Sequence, residues 1–104
     1  MQQKMVFIDI DGTTMDENGQ ISPRTVHTIQ HLKENGIPVV VNTGRILAEV
    51  QDILQTVGLH LPVIGANGGY STDDLGQEVV YTSRMPADQC LRIIEICKSY
   101  PVLP

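Results

Sequence analysis

The chain has 104 residues, enough for one small domain, which at that size buries about two-thirds of the surface its unfolded form exposes. Its hydrophobic content of 41% and charged content of 18% are ordinary for a globular domain. A net charge of −5 with no run of lysine or arginine argues against nucleic acid or an anionic membrane as a partner, and no apolar stretch approaches the roughly 20 residues of a membrane-spanning helix.

The first four residues, Met1-Gln2-Gln3-Lys4, are followed by no long apolar segment before Asp9, so no signal peptide is expected and a cytoplasmic location is. Residues 4–10 read as a buried parallel strand whose β-branched run drives toward two carboxylates, Asp9 and Asp11, spaced i, i+2. Acids end a buried strand comfortably at its C-terminal edge, where open α/β sheets bind ligands. Gly12 lets the backbone turn there and approach a ligand closely. A strand-end turn closed by an acidic side chain is the plainer reading, but it needs one acid and accounts for neither the second nor the apolar run. Residues 13–19 are polar and turn-rich, a loop at the same edge.

Ser22 and Pro23 mark a helix start, as N-cap and first helical residue, with Ile21 and Val26 spaced as a hydrophobic staple. Val26, Ile29 and Leu32 form its inner stripe and Asn35-Gly36 its end. His27 and His31, at i, i+4, have metal-ligand spacing but no acid or cysteine nearby in sequence, which favours a solvated helix face.

Residues 37–42 read as a second buried strand, with Pro38 near its start. It ends in Thr43-Gly44-Arg45, and a helix follows with Ile46, Leu47, Val50, Ile53, Leu54 and Val57 on one face, closed by Gly58. The start of that helix offers free N–H groups and a positive dipole end to an anion, and the Thr43 hydroxyl can donate to a phosphoryl oxygen. The plainer alternatives are a helix N-cap for Thr43 and an exposed first-turn arginine for Arg45.

Residues 62–65 are a short third strand leading into Ala66-Asn67-Gly68-Gly69-Tyr70, where Asn67-Gly68 is also a strong turn dipeptide. Residues 70–72 and 77–82 read as two strands joined by a turn at 73–76, whose acids Asp73 and Asp74 are turn chemistry rather than a metal site. After Pro86 a helix places Ala87, Cys90, Leu91, Ile94 and Cys97 on one face; Tyr100-Pro101 ends it and residues 102–104 form a loose tail. The two cysteines, about 10 Å apart along that helix, cannot bridge each other and are expected as buried thiols in a reduced compartment. The element pattern βαβαβ-ββα gives an α/β chain with parallel strands.

Asp-x-Asp-Gly-Thr after a hydrophobic strand resembles the first motif of the haloacid-dehalogenase-like (HAD) phosphohydrolases, and Thr43-Gly44-Arg45 at the tip of the next strand resembles the second motif of their Cof-like branch. Asn67-Gly68 resembles that branch's Asn-Gly-Ala segment, with Gly69 where alanine is commoner. The resemblance implies that Asp9 is the nucleophile, forming an aspartyl-phosphate, and Asp11 the general acid/base. It implies Mg²⁺ held at Asp9 and Asp11, phosphate at Gly12, Thr43 and Gly44, and substrate close to Arg45 and Asn67. A carboxylate can attack phosphorus once a cation offsets the repulsion between anions, and Mg²⁺ prefers oxygen ligands.

The fold so implied is a partial HAD-type Rossmann-like parallel sheet with helices, residues 1–68, followed by the start of an α+β cap, a hairpin plus a helix, in residues 69–104. Two further family elements are missing: a lysine that stabilises the charge at the aspartate and phosphate, and an acidic motif, commonly Gly-Asp, that completes the Mg²⁺ site. There is no Gly-Asp dipeptide, and Lys4, Lys33 and Lys98 do not match the lysine. The expected function is therefore a Mg²⁺-dependent phosphatase of small phosphorylated metabolites, present in a truncated form. The alternative is a catalytically weak or inactive truncated domain that binds phosphate or metal, or only oligomerises. A receiver domain is excluded by order, because its phospho-acceptor sits on the third strand, which here ends Gly65-Ala66-Asn67. With the later strands missing, the first strand becomes an exposed edge. Either a homodimer or other homo-oligomer forms through it, or the 70–100 segment folds back to cover it.

Overall fold

The structure, a computed structural model, describes residues 3–100. Five strands form one sheet in the order β1 (Val6–Ile8), β2 (Val39–Asn42), β3 (Val63–Gly65), β4 (Tyr70–Thr72), β5 (Val79–Thr82). The first three are parallel, which obliges a helix between each pair: α1 (Pro23–Glu34) and α2 (Leu47–Thr56). β4 and β5 add antiparallel beyond β3, and α3 (Ala87–Lys98) follows them.

Register explains the core. Val6, Phe7 and Ile8 stand opposite Val39, Val40 and Val41. Alternation sends Val39 and Val41 to one face, where they meet Ile29 of α1 and Val50 and Leu54 of α2, with Leu61 and Val63. Phe7 points to the opposite face and is 56% exposed. The α1 start is built as its sequence suggests: the Ser22 hydroxyl accepts from the Thr25 N–H at 3.2 Å, Pro23 is the first helical residue, and Ile21 and Val26 pack into the core. At its end Asn35 caps and Gly36 takes a positive φ of 74°.

Several expectations need correction. β1 spans only Val6–Ile8 within the expected 4–10, so Asp9 is the first residue past the strand. Ile10 is nonetheless fully buried between the two exposed acids, because the chain turns there, with the Thr14 N–H on the Asp9 carbonyl and the Met15 N–H on that of Ile10. α2 starts at Leu47, two residues beyond Arg45; Ile46 is its N-cap, extended and 59% exposed, and does not join the inner face. The stripe on α3 is not buried: Leu91 is 62% and Ile94 51% exposed, because amphipathic spacing does not itself supply a partner. Cys97 on that helix is accordingly exposed and Cys90 only half-buried, not the buried thiols expected.

The hairpin turn forms as read, with the Gly76 N–H on the Asp73 carbonyl and the Gln77 N–H on the Asp73 carboxylate. The hairpin hydrogen-bonds to β3, so the expected 68/69 boundary falls within one continuous sheet. It extends the sheet on the side away from β1. The 70–100 segment therefore does not fold back over β1, which no strand pairs on its outer side among the described residues. The expected tail at 102–104 lies outside the described residues.

Candidate active site

The parallel strands β1 and β2 end side by side, and each hands on directly to a polar segment. From β1 this delivers Asp9; from β2, Thr43 and Gly44; from the turn after β3, Asn67. These four residues line one open cleft of about 410 Å³, together with Phe7, Ile8 and Asn42. Residues 9, 43 and 67 are thus brought to one strand-tip edge by parallel pairing alone.

Thr43 is 4% exposed, and its Oγ1 accepts the Arg45 N–H at 3.1 Å, which leaves the hydroxyl proton free to be donated. It is not the cap of α2, whose start has no side-chain cap. Gly44 sits close against Asn67: a Cβ there would stand 3.1 Å from the Asn67 side-chain oxygen, so that side chain would have to give way slightly. Asn67 lies in the Ala66–Gly68 turn joining β3 to β4, as its turn dipeptide suggests, and also lines the cleft. Ala66 and Asn67 both take left-handed φ, 48° and 54°, a conformation that costs non-glycine residues energy and concentrates at functional sites. It aims the Ala66 N–H at the Arg45 carbonyl (3.0 Å) and the Asn67 N–H at the Thr43 carbonyl (3.2 Å).

Asp11 and Arg45 meet each other rather than lining that cleft. Arg45 Nη2 lies 2.7 Å from Asp11 Oδ1, and Nε 3.0 Å from Oδ2. The third arm, Nη1, binds Glu49 at 3.0 Å. Hydrogen bonding to Arg45 is the main reason the Asp11 carboxyl sits below its ordinary range, and the same bond raises the Arg45 pKa. Gly12, with a φ of 73°, makes the expected sharp turn but faces a separate hollow with Thr13, Thr14 and the residues after them. His27 and His31 are exposed on α1.

Glu49 and Tyr70 join the site without a clear signal in the sequence. Glu49 stands four residues after Arg45, a spacing that signals an ion pair on a helix, but Arg45 precedes the helix. Tyr70 donates its hydroxyl to the Arg45 carbonyl at 3.1 Å, a contact across 25 residues that no local pattern reveals. Burial, and then the charge of Glu49, push the Tyr70 pKa up, so the phenol remains a donor at neutral pH.

The donors near the cleft are hard oxygens, the type Mg²⁺ takes, and Mg²⁺ commonly rests on one or two carboxylates and keeps several waters. Among the described residues the Asp9 carboxylate lines the cleft and enters no ion pair, while Arg45 holds the Asp11 side chain. The set fits such an ion, held in part by this chain.

Similarity to known proteins agrees with this arrangement. The chain is 31% identical over 102 residues to the 5-amino-6-(5-phospho-D-ribitylamino)uracil phosphatase YitU of Bacillus subtilis, covering 94% of this chain and 37% of that protein. It is 34% identical over 91 residues to a phosphoglycolate phosphatase of Methanospirillum hungatei, covering 86% and 39%. Its fold matches a haloacid dehalogenase-like hydrolase from B. subtilis with a TM-score of 0.85 at 28% identity, over 93% of this chain and 34% of that one. The chain thus spans little more than a third of the length of these two relatives. A family profile matches residues 6–103, nearly the whole sequence: the chain belongs to the haloacid dehalogenase-like hydrolases.

Proposed function

We propose that this chain carries the nucleophile and phosphate-binding part of a Mg²⁺-dependent phosphatase acting on small phosphorylated metabolites through an aspartyl-phosphate. One observation supports the reading above others: Asp9 and Thr43, from the tips of adjacent parallel strands, line the same open cleft. The relatives named for phosphatase activity on small phosphorylated compounds point the same way.

In this reading the Asp9 carboxylate attacks phosphorus while the bond to the leaving oxygen breaks. Thr43 and the backbone of Gly44 hold the phosphoryl oxygens, and Arg45 and Asn67 border the substrate. Asp11 gives its proton to the leaving oxygen, then takes one from the water that releases phosphate from Asp9. Asp9, with the backbone at Asp11, would hold Mg²⁺, whose positive charge would let an anionic carboxylate approach an anionic phosphate. The Arg45 guanidinium favours the ionised form of Asp11, the form suited to receiving a proton, and movement of the guanidinium away from it would favour the protonated form.

The chain alone is a weak catalyst, because the lysine and acidic motif that its family resemblance leads one to seek are not within these residues. Losing one charged stabiliser at such a site costs about 10²–10³ in rate. A second copy pairs along β1, whose outer edge is free among the described residues and whose Phe7 is exposed, and the assembly works in the cytoplasm.

Hydrolysis of p-nitrophenyl phosphate by the purified chain with Mg²⁺ tests the reading. Slow turnover abolished by Asp9→Asn, with the fold intact, is expected. Turnover that survives Asp9→Asn removes Asp9 as nucleophile, and turnover at about 1–10³ s⁻¹, the ordinary enzyme range, removes the weak-catalyst reading.

A further inference from the structure

The 43–45 loop carries the cleft's hydroxyl and the guanidinium that grips Asp11, yet it is held largely from outside its own strand and helix. The Thr43 N–H donates to the Ile64 carbonyl at 3.0 Å, and the Asn67 N–H to the Thr43 carbonyl. The Arg45 carbonyl accepts two donors at once, the Ala66 N–H and the Tyr70 hydroxyl. Of these clamps, only the Tyr70 bond comes from a side chain. It also comes from a different element, β4, the first strand of the hairpin.

Space is made for it. Gly65 pairs with Tyr70 across the β3–β4 ladder, and a Cβ on Gly65 would overlap the Tyr70 phenol. Glycine at 65 therefore lets the ring lie across β3 and reach the loop on the far side. Packing alone would require the ring but not the hydroxyl. The hydroxyl finds an acceptor that already has one donor, and that acceptor belongs to the residue whose side chain grips Asp11.

We propose that Tyr70 is a positioning residue for the anion cleft: its hydroxyl fixes the Arg45 backbone, sets the Arg45 guanidinium on Asp11, and couples the β4–β5 hairpin to the Thr43–Gly44–Arg45 loop. The effect on anion binding rests on the phosphatase reading above; the effect on Arg45 does not. A displacement of the hairpin is then transmitted to Arg45 in part through this hydrogen bond, beside the Gln51 side-chain bonds from α2 to the Gly76 and Gln77 carbonyls.

Tyr70→Phe keeps the ring over Gly65 and removes only the hydroxyl; the Ala66 N–H still serves the Arg45 carbonyl, so the fold survives. Two readouts apply: the Arg45 Nε–Hε resonance, which reports the bond to Asp11, and titration with inorganic phosphate in the presence of Mg²⁺. The expected result is a shifted, faster-exchanging Arg45 Nε–Hε signal and a Kd for phosphate raised about 3–10-fold, the loss of one hydrogen bond. Ile53→Val, a mild core change on α2, lowers stability without moving either readout. An Arg45 signal unchanged in Tyr70→Phe overturns the proposal and leaves Tyr70 as packing. An altered signal with unchanged phosphate affinity overturns its bearing on the cleft. If the unsubstituted chain binds no phosphate, the phosphatase reading fails while the Arg45 signal still decides the positioning claim.

Discussion

Arg45 holds Asp11 side-on, with Nη2 at 2.7 Å and Nε at 3.0 Å from the two carboxylate oxygens, across 34 residues of sequence. Both side chains are partly exposed, and ion pairs so placed contribute little to stability. The pair is better understood as a feature of the site. It joins the tip of β1 to the tip of β2, and Arg45 follows directly on the Thr43 and Gly44 that line the cleft.

Arg45→Gln should therefore separate stability from binding. The thermal midpoint is expected to stay close to that of the unsubstituted protein, while phosphate affinity falls several-fold as the planar cation is lost. A large drop in midpoint with unchanged affinity would make the pair a structural brace. Calorimetric melting and phosphate titration on the same samples give both numbers.

Much of the molecule is legible in its sequence, for local reasons. Ser22, Pro23 and Asn35-Gly36 are signals whose chemistry is completed within four residues, and they mark α1 correctly. Asp9 and Thr43 are legible because a buried run that ends in polar residues belongs at the ligand-binding edge of a parallel sheet. Ile46 misleads because apolar periodicity continues through an N-cap that the backbone places outside the helix. The α3 stripe misleads because spacing shows that a face is apolar, not what covers it. The Tyr70 contact to Arg45 depends on a β3–β4 register that places a ring over Gly65, which local sequence does not encode.

The hairpin carries a pH dependence of known sign. The Gln77 N–H bond is the main cause that holds the Asp73 carboxyl below the ordinary aspartate value of 3.8, with burial opposing it and further backbone N–H groups of the turn assisting. A carboxyl with a depressed folded-state pKa stabilises the fold fully above 3.8, and that contribution is lost as pH falls through the lower folded value. Protection of the Gly76 and Gln77 amides from exchange should be level down to about pH 5 and then decline. In Asp73→Asn the acid step disappears. Identical pH profiles for the two proteins would show that Asp73 does not set the acid response.

Among the described residues no strand pairs on the outer side of β1, which predicts self-association. Val6–Ile8 is short but apolar, and charge of −5 per chain opposes pairing weakly where salt screens within about 8 Å. Sedimentation of the purified chain at tens of micromolar should show a dimer, and Phe7→Lys or Ile8→Pro should return it to monomer. A monomer in the unsubstituted protein would show that the edge is tolerated in water.

The proposal that Asp9 and Thr43 jointly hold a phosphoryl group is tested most directly by a crystal structure of the chain grown with Mg²⁺ and inorganic phosphate. The expected density is one tetrahedral anion between the Asp9 carboxylate and the Thr43 hydroxyl, within the cleft bordered by Gly44 and Asn67. A well-ordered cleft with no anion there, or phosphate bound only elsewhere on the molecule, would contradict it.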